Sequence, residues 1–301
     1  MYLSLAGINF GIELSEDPRW VDFRQDFHGF MREGEPERRD VSVRFRIEEE
    51  VPEVVEGDFA WHCKSTSENV PDTPYDYEWK VCIDERNREV LYVNYFSRHP
   101  FLKRVRVDFN PDTFEAEVSL QLLPNPEQQD IMIMPLFMLF LSRVLWRFDA
   151  VLIHASCVSY KDRGRLFTAV SGTGKSTMAR IWERCGATII NDDMLIMRLH
   201  RPTKKTWVFN IPMPYYKDVQ RSVLLDTIFF IRQSKNNEVA PLSGAVYVMQ
   251  LMSHTAHQTF QPEYLKKYIK LMMDISSSVG FADCGFLPDE RIVDEIQKAG
   301  L

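Results

Sequence analysis

The stretch Ala169-Val170-Ser171-Gly172-Thr173-Gly174-Lys175-Ser176-Thr177 constrains this chain more than any other. Before it, Arg165 to Val170 is an apolar, strand-like run; after it, Lys175 to Cys185 puts Met178, Ile181, Trp182 and Cys185 on one helical face, with Gly186 as the stop. Strand, glycine turn and helix start are the three parts of a phosphate-binding loop. Gly172 and Gly174 let backbone N–H groups converge on an anion with no Cβ in the way, and the first helical turn adds the positive end of its dipole. The stretch Ser171 to Thr177 is therefore read as the binding segment for a nucleotide's phosphates. Lys175 would reach the β- and γ-phosphates, and the Ser176 hydroxyl would complete a Mg²⁺ shell. Ala169 stands where the strict pattern has glycine, so the match is to the relaxed form of the motif.

A second feature gives the loop a chemical partner. The short strand Ala187 to Ile190 follows the helix and delivers Asn191-Asp192-Asp193 at its C-terminal end. Returning directly after the loop's own helix, it should bring both carboxylates beside the bound phosphates. One would hold Mg²⁺, and the other would accept a proton from an attacking hydroxyl. Upstream, Val151 to Tyr160 is a strand joined to Arg165 by the tight turn Lys161-Asp162-Arg163-Gly164. So short a turn makes the two strands antiparallel, and a mixed sheet is expected in place of an all-parallel one.

The remainder of the chain is less specific. Residues 1 to about 125 are β-rich, with segments such as Val41 to Ile47, Glu78 to Ile83 and Glu89 to Tyr95. Leu123-Pro124-Asn125-Pro126 is the best domain boundary. Gln128 to Phe148 follows as an apolar helix, interrupted early by Pro135. Asn210 to Lys217 is an aromatic and basic loop that could hold substrate or only cover the sheet edge, and Arg232, ending the strand Leu224 to Ile231, could reach a phosphate or be a solvated strand end. Pro241 to His257 and Pro262 to Ser278 read as helices, Val279 to Phe286 as a strand, and a closing helix runs to Lys298. His254 and His257 would share a helix face as surface histidines; His28, His62, Cys63 and His99 show no second ligand pair at a metal-binding spacing.

The net charge of −7 argues against nucleic acid or an anionic membrane as the main partner. Five scattered cysteines read as free thiols in a reducing compartment, and no signal segment or membrane-length apolar run is seen, so a cytoplasmic location is expected.

Together, His154 on the strand before the loop, the Ser171-Gly172-Thr173-Gly174-Lys175-Ser176 segment, the early return strand and Asp192-Asp193 resemble the HPr kinase/phosphorylase family, over roughly residues 150 to 290. The resemblance is closest to bacterial HPr-kinase-related proteins with a His-Ala-Ser strand, often linked to peptide modification. It implies a mixed-sheet, phosphoenolpyruvate-carboxykinase-like P-loop kinase domain over 126–301; with the β-rich segment 1–125, read from the residues as a recognition or scaffold domain, the chain is expected to be α+β. It further implies that Ser171 to Thr177 bind ATP, that Ser176 and Asp192 hold Mg²⁺, and that His154, Lys175, Asp192 and Asp193 are catalytic, with His154 near the acceptor. The expected reaction is transfer of the γ-phosphoryl group to a serine-type hydroxyl of a protein or peptide. A small-metabolite kinase and a non-catalytic nucleotide-sensing module are the alternatives, and the oligomeric state is left open. Thr177 stands where the bifunctional HPr kinases have an acidic residue, and the N-terminal half differs from theirs, so neither phosphorylase activity nor HPr as substrate carries over.

Overall fold

The computed structural model describes residues 1–14, 27, 29–54, 61–66, 76–86, 88–97, 102–124, 136–212, 219–244, 246–256 and 262–301. The protein is α+β, with two mixed sheets, and divides into two compact units, Met1–Phe140 and Leu141–Leu301.

Unit 1 contains β1 (Tyr2–Leu5), β2 (Ile8–Leu14), β3 (Met31–Arg32), β4 (Val41–Glu48), β5 (Trp61–Thr66), β6 (Asp76–Ile83), β7 (Glu89–Ser97), β8 (Leu102–Asn110) and β9 (Glu115–Leu122). They form one sheet in the order β3-β1-β2-β4-β9-β8-β7-β6-β5, with parallel pairing at β2–β4 and β4–β9. Alternation decides its faces: Val41, Val43 and Phe45 are buried while Arg44 and Arg46, at the alternate positions, are exposed. Phe10 and Phe109 pack edge-on against Phe140 of helix α1 (Leu136–Val144), at centroid distances of 6.5 and 5.9 Å. On the solvated side Arg44 and Arg39 bond Glu13 and hold its carboxyl below the ordinary range. The expected start of α1, residues 128–135, lies outside the described residues, as do His28 and His99.

Unit 2 is built on β10 (Ala150–Tyr160), an 11-residue strand whose two halves have different neighbours in the second sheet. It turns through Lys161 and Asp162, at φ 52° and 59°, into β11 (Arg163–Thr168). Two consecutive left-handed residues are what a two-residue hairpin needs, and the pair is antiparallel as the sequence implied. There follow α2 (Lys175–Arg184), β12 (Thr188–Asn191), β13 (Met194–His200), β14 (Lys205–Asn210), β15 (Ser222–Gln233), β16 (Glu238–Leu242), α3 (Val246–Met252), β17 (Thr255–Ala256), α4 (Pro262–Ser276), β18 (Gly280–Phe286) and α5 (Arg291–Lys298). The first half of β10 pairs with β13 and β17, the second half with β11 and β12. β15 starts against β14 and continues between β11 and β18, parallel to both. The pairings β10–β13–β14–β15–β11–β10 thus close into a ring.

Alternation along β11 and β15 feeds two cores. Leu166, Ile228 and Phe230 join Leu251, Tyr268 and Met272 on one side. Phe167, Phe229 and Ile231 join Met178, Trp182, Phe286 and Ile292 on the other. Trp182 is fully buried, with Phe167 and Phe229 stacked beside it at 5.3 Å between their own centroids. Truncating such a ring to alanine costs about 3–5 kcal/mol. This packing fixes α2, and therefore the turn that precedes it.

One expectation fails in this unit. Pro241 to His257 is not a helix: Glu238–Leu242 is an edge strand antiparallel to β18, the helix runs only from Val246 to Met252, and Thr255–Ala256 pairs with β10. Proline lacks the N–H a central strand needs but is tolerated at an edge, and Pro241 sits there.

Candidate active site

The turn from β11 into α2 is closed by Thr173, whose Oγ1 donates to the Val170 carbonyl at 2.9 Å. Gly172 has φ +78° and Gly174 φ +114°, and a Cβ on Gly174 would lie 3.0 Å from Phe286 Cζ. Gly174 caps α2 with no side-chain hydrogen bond, and no acidic residue stands in the first turn. The N–H groups at this helix start therefore have no side-chain acceptor of the usual kind, and the dipole's positive end is uncompensated.

Lys175 is 6% exposed, and its Nζ donates to the carbonyls of Ala169 at 3.1 Å and Val170 at 3.3 Å. Burial pulls its ammonium below the ordinary lysine range, with the charge of Asp193 opposing. Beneath it, the fully buried Ser156 of β10 donates from Oγ to the Lys175 carbonyl at 2.8 Å and ties the central strand to the helix start.

β12 presents the acidic pair to this turn. Asn191 is fully buried; its Nδ2 donates to the Met194 carbonyl at 3.0 Å, and its Oδ1 accepts the Asp192 N–H at 2.8 Å, which clamps the reversal from β12 into β13. The Asp193 carbonyl accepts the Ala155 N–H at 2.9 Å. The Ser176 hydroxyl donates to the Asp192 carbonyl at 3.3 Å, and His154 Nε2 lies 3.3 Å from Asp193 Oδ1. Burial raises the Asp192 carboxyl; the Arg180 charge offsets part of that and the Asp193 charge adds to it.

These groups line one cleft of about 670 Å³, in which His154, Lys175, Ser176, Thr177, Asp192 and Asp193 meet Ser171, Gly172 and Gly174. Thr173 does not line it and faces a neighbouring cleft instead. Arg232, a candidate phosphate contact, is held in ion pairs with Asp283 and Glu238, both at 3.0 Å. Most of the Asn210 to Lys217 loop lies outside the described residues. His254 is half-buried and not on a helix face: its carbonyl accepts the His154 N–H at 3.0 Å. Its imidazole is pushed below the ordinary range by burial, then by the charges of Lys175 and His154. His257 lies outside the described residues.

Three contributors carried no role in the sequence reading. Arg180 lines the same cleft from one turn along α2; Asn191 and Ser156 position the groups around it. Ser156 follows His154 by two in a strand, and that spacing puts both on one face.

The cleft thus brings together an uncapped helix start behind a glycine turn, two carboxylates and a histidine. A model of the family described as ScmC, SynChlorMet cassette protein ScmC, matches residues 121–275, and the chain belongs to that family. No curated protein matches it. Among solved structures, the Hpr(Ser) kinase/phosphatase from Coxiella burnetii is similar over 50% of this chain and 95% of its own, at 10% identity and a TM-score of 0.30. Among the described residues no helix is long and apolar enough to cross a membrane, and no group of three or more His, Cys, Asp or Glu side chains is arranged to hold a metal unaided. The described cysteines Cys82, Cys157, Cys185 and Cys284 are free.

Proposed function

We propose that unit 2 is a phosphoenolpyruvate-carboxykinase-like P-loop kinase that uses ATP and Mg²⁺ to phosphorylate a serine-type hydroxyl on a protein or peptide. The observation that carries this reading is the convergence, in one cleft, of the buried Lys175 ammonium and uncapped helix start with the Asp192 and Asp193 carboxylates. The residues fit a magnesium triphosphate. Gly172 lies open, with no atom within 4 Å of where a Cβ would be, so phosphate oxygens can approach the backbone. Mg²⁺ keeps several waters and is held by one or two carboxylates plus the phosphates, so no closed protein cage is required.

Ser171 to Thr177 would hold the triphosphate through backbone N–H groups and Lys175, and Ser176 with Asp192 would hold Mg²⁺, their adjacency given by the Ser176–Asp192 hydrogen bond. When bound, magnesium ATP supplies the transferable phosphoryl group and neutralises charge on it. Asp193 is the base: it accepts the proton of the acceptor hydroxyl, while His154 Nε2 engages Oδ1 and leaves Oδ2 for the acceptor. Lys175 and the loop amides stabilise charge on the transferring group.

The test is incubation of the full chain with γ-labelled ATP and Mg²⁺, with and without a lysate of its host. Label should enter a polypeptide, and Lys175→Ala and Asp193→Asn should each abolish transfer while retaining the wild-type circular dichroism spectrum. Full transfer by Lys175→Ala, or label only in small molecules, overturns the reading.

A further inference from the structure

The loop 169–173 separates two clefts. The first holds the acids. The second, of about 540 Å³, adjoins the first at the turn and is bounded by Val170, Phe230, Ile231, Gln233, Gln250 and His254. Both clefts share Ser171 and Gly172, so the open backbone of the turn is the ridge between them.

The chemistry of the two sides differs. The first cleft carries carboxylates and a hydroxyl. The second is mostly apolar, with the nearly buried Phe230 and Ile231 at its floor and the exposed Val170 beside it, rimmed by amide and imidazole groups. Phe230 is stacked on Phe281 at 6.0 Å and 11°, and the His254 ring lies 6.3 Å from that of Phe230. Val170 is 72% exposed beside it, an apolar side chain with no protein cover. The one full positive charge on its rim, Arg232, is neutralised by Asp283 and Glu238.

We propose that the second cleft is the nucleobase subsite and takes a purine, an inference that rests on the kinase reading above. A nucleoside triphosphate is a rod with its phosphates at one end. If its terminal phosphate lies on the side of Asp192, Asp193 and Ser176, the chain of phosphates passes over Ser171 and Gly172, and the base emerges on the other flank. A flat, uncharged heterocycle fits a mostly apolar cleft whose rim offers hydrogen-bonding groups, the Gln233 and Gln250 amides and the His254 imidazole. The same apolar surface could instead take a side chain of a peptide acceptor. Its position across the turn from the proposed base, Asp193, favours the nucleotide.

The experiment is calorimetric binding, in Mg²⁺, of ATP, CTP and inorganic tripolyphosphate to the full chain. Wild type should bind ATP at least tenfold more tightly than tripolyphosphate and more tightly than CTP. Gln250→Trp fills the cleft from an exposed position on α3 and should remove that surplus, leaving tripolyphosphate affinity within twofold of wild type. His254→Ala should reduce the surplus in the same direction. Retained tripolyphosphate binding shows in each case that the turn is intact. Unchanged ATP affinity in Gln250→Trp overturns the subsite, as does a change confined to the KM for the polypeptide acceptor, which would assign the cleft to that acceptor. Wild type that binds neither ATP nor tripolyphosphate overturns the kinase reading itself. Wild type that binds both equally overturns only the base subsite.

Discussion

Replacing Gly174 by alanine should damage the second unit far more than the same change at Gly172, although both belong to one turn. At φ +114° Gly174 lies beyond the left-handed well that other residues visit, which costs about 1–3 kcal/mol for a side chain held there. The added Cβ would sit 3.0 Å from Phe286 Cζ, and Phe286 is 4% exposed within the Trp182 core, so it has nowhere to retreat. Overpacking of this kind adds about 1–3 kcal/mol. The sum, about 2–6 kcal/mol, is a large part of an ordinary domain's stability of about 5–15 kcal/mol. At Gly172 φ is +78° and nothing lies within 4 Å of the new methyl, so only the backbone preference remains, about 1–2 kcal/mol. Urea unfolding followed by the tryptophans of unit 2 reads both variants as shifts in midpoint at constant m. A Gly174→Ala shift equal to that of Gly172→Ala would refute the claim that Phe286 buttresses the turn.

Ser156→Ala should cost about 1 kcal/mol in the same assay, the usual net worth of a buried hydrogen bond, because it removes the 2.8 Å bond to the Lys175 carbonyl. Asp192→Asn should stabilise the metal-free protein while abolishing transfer. The folded protein raises this carboxyl, so the carboxylate costs stability above the unfolded value of 3.8, and the cost fades as pH falls through the folded pKa. With the group only partly buried the gain is below about 1 kcal/mol, or about 1–3 °C in Tm at pH 7, shrinking on acidification.

The meeting of Lys175, Asp192 and Asp193 in one cleft was readable because it depends on local chain geometry. A strand, a glycine turn and a helix are contiguous, and the hairpin through Lys161 and Asp162 needs only its length to be antiparallel. Asp192 and Asp193 come back beside the turn because a short strand follows the turn's own helix. What stayed hidden depends on pairing between distant segments. Val246 to Met252 has a helical pattern, and nothing local signals that Pro241 sits in an edge strand or that Thr255 pairs with Ile153. Extending the helix through His254 turned a half-buried neighbour of the loop into a surface residue. Asn191 was visible beside the acids, but its clamp on the Met194 carbonyl is a property of the folded reversal.

The shared strand β10 also bears on the order in which the protein can be made. Its pairing with β11 is immediate, but β11 gains its second neighbour only when β15 has been synthesised, and Ile153 meets Thr255 roughly a hundred residues after leaving the ribosome. Until β15 is in place, the strand that leads into the glycine turn has an open edge. A nascent or truncated chain ending before Ser222 would display that edge to other chains, so this segment is where premature termination should favour aggregation over a smaller folded fragment.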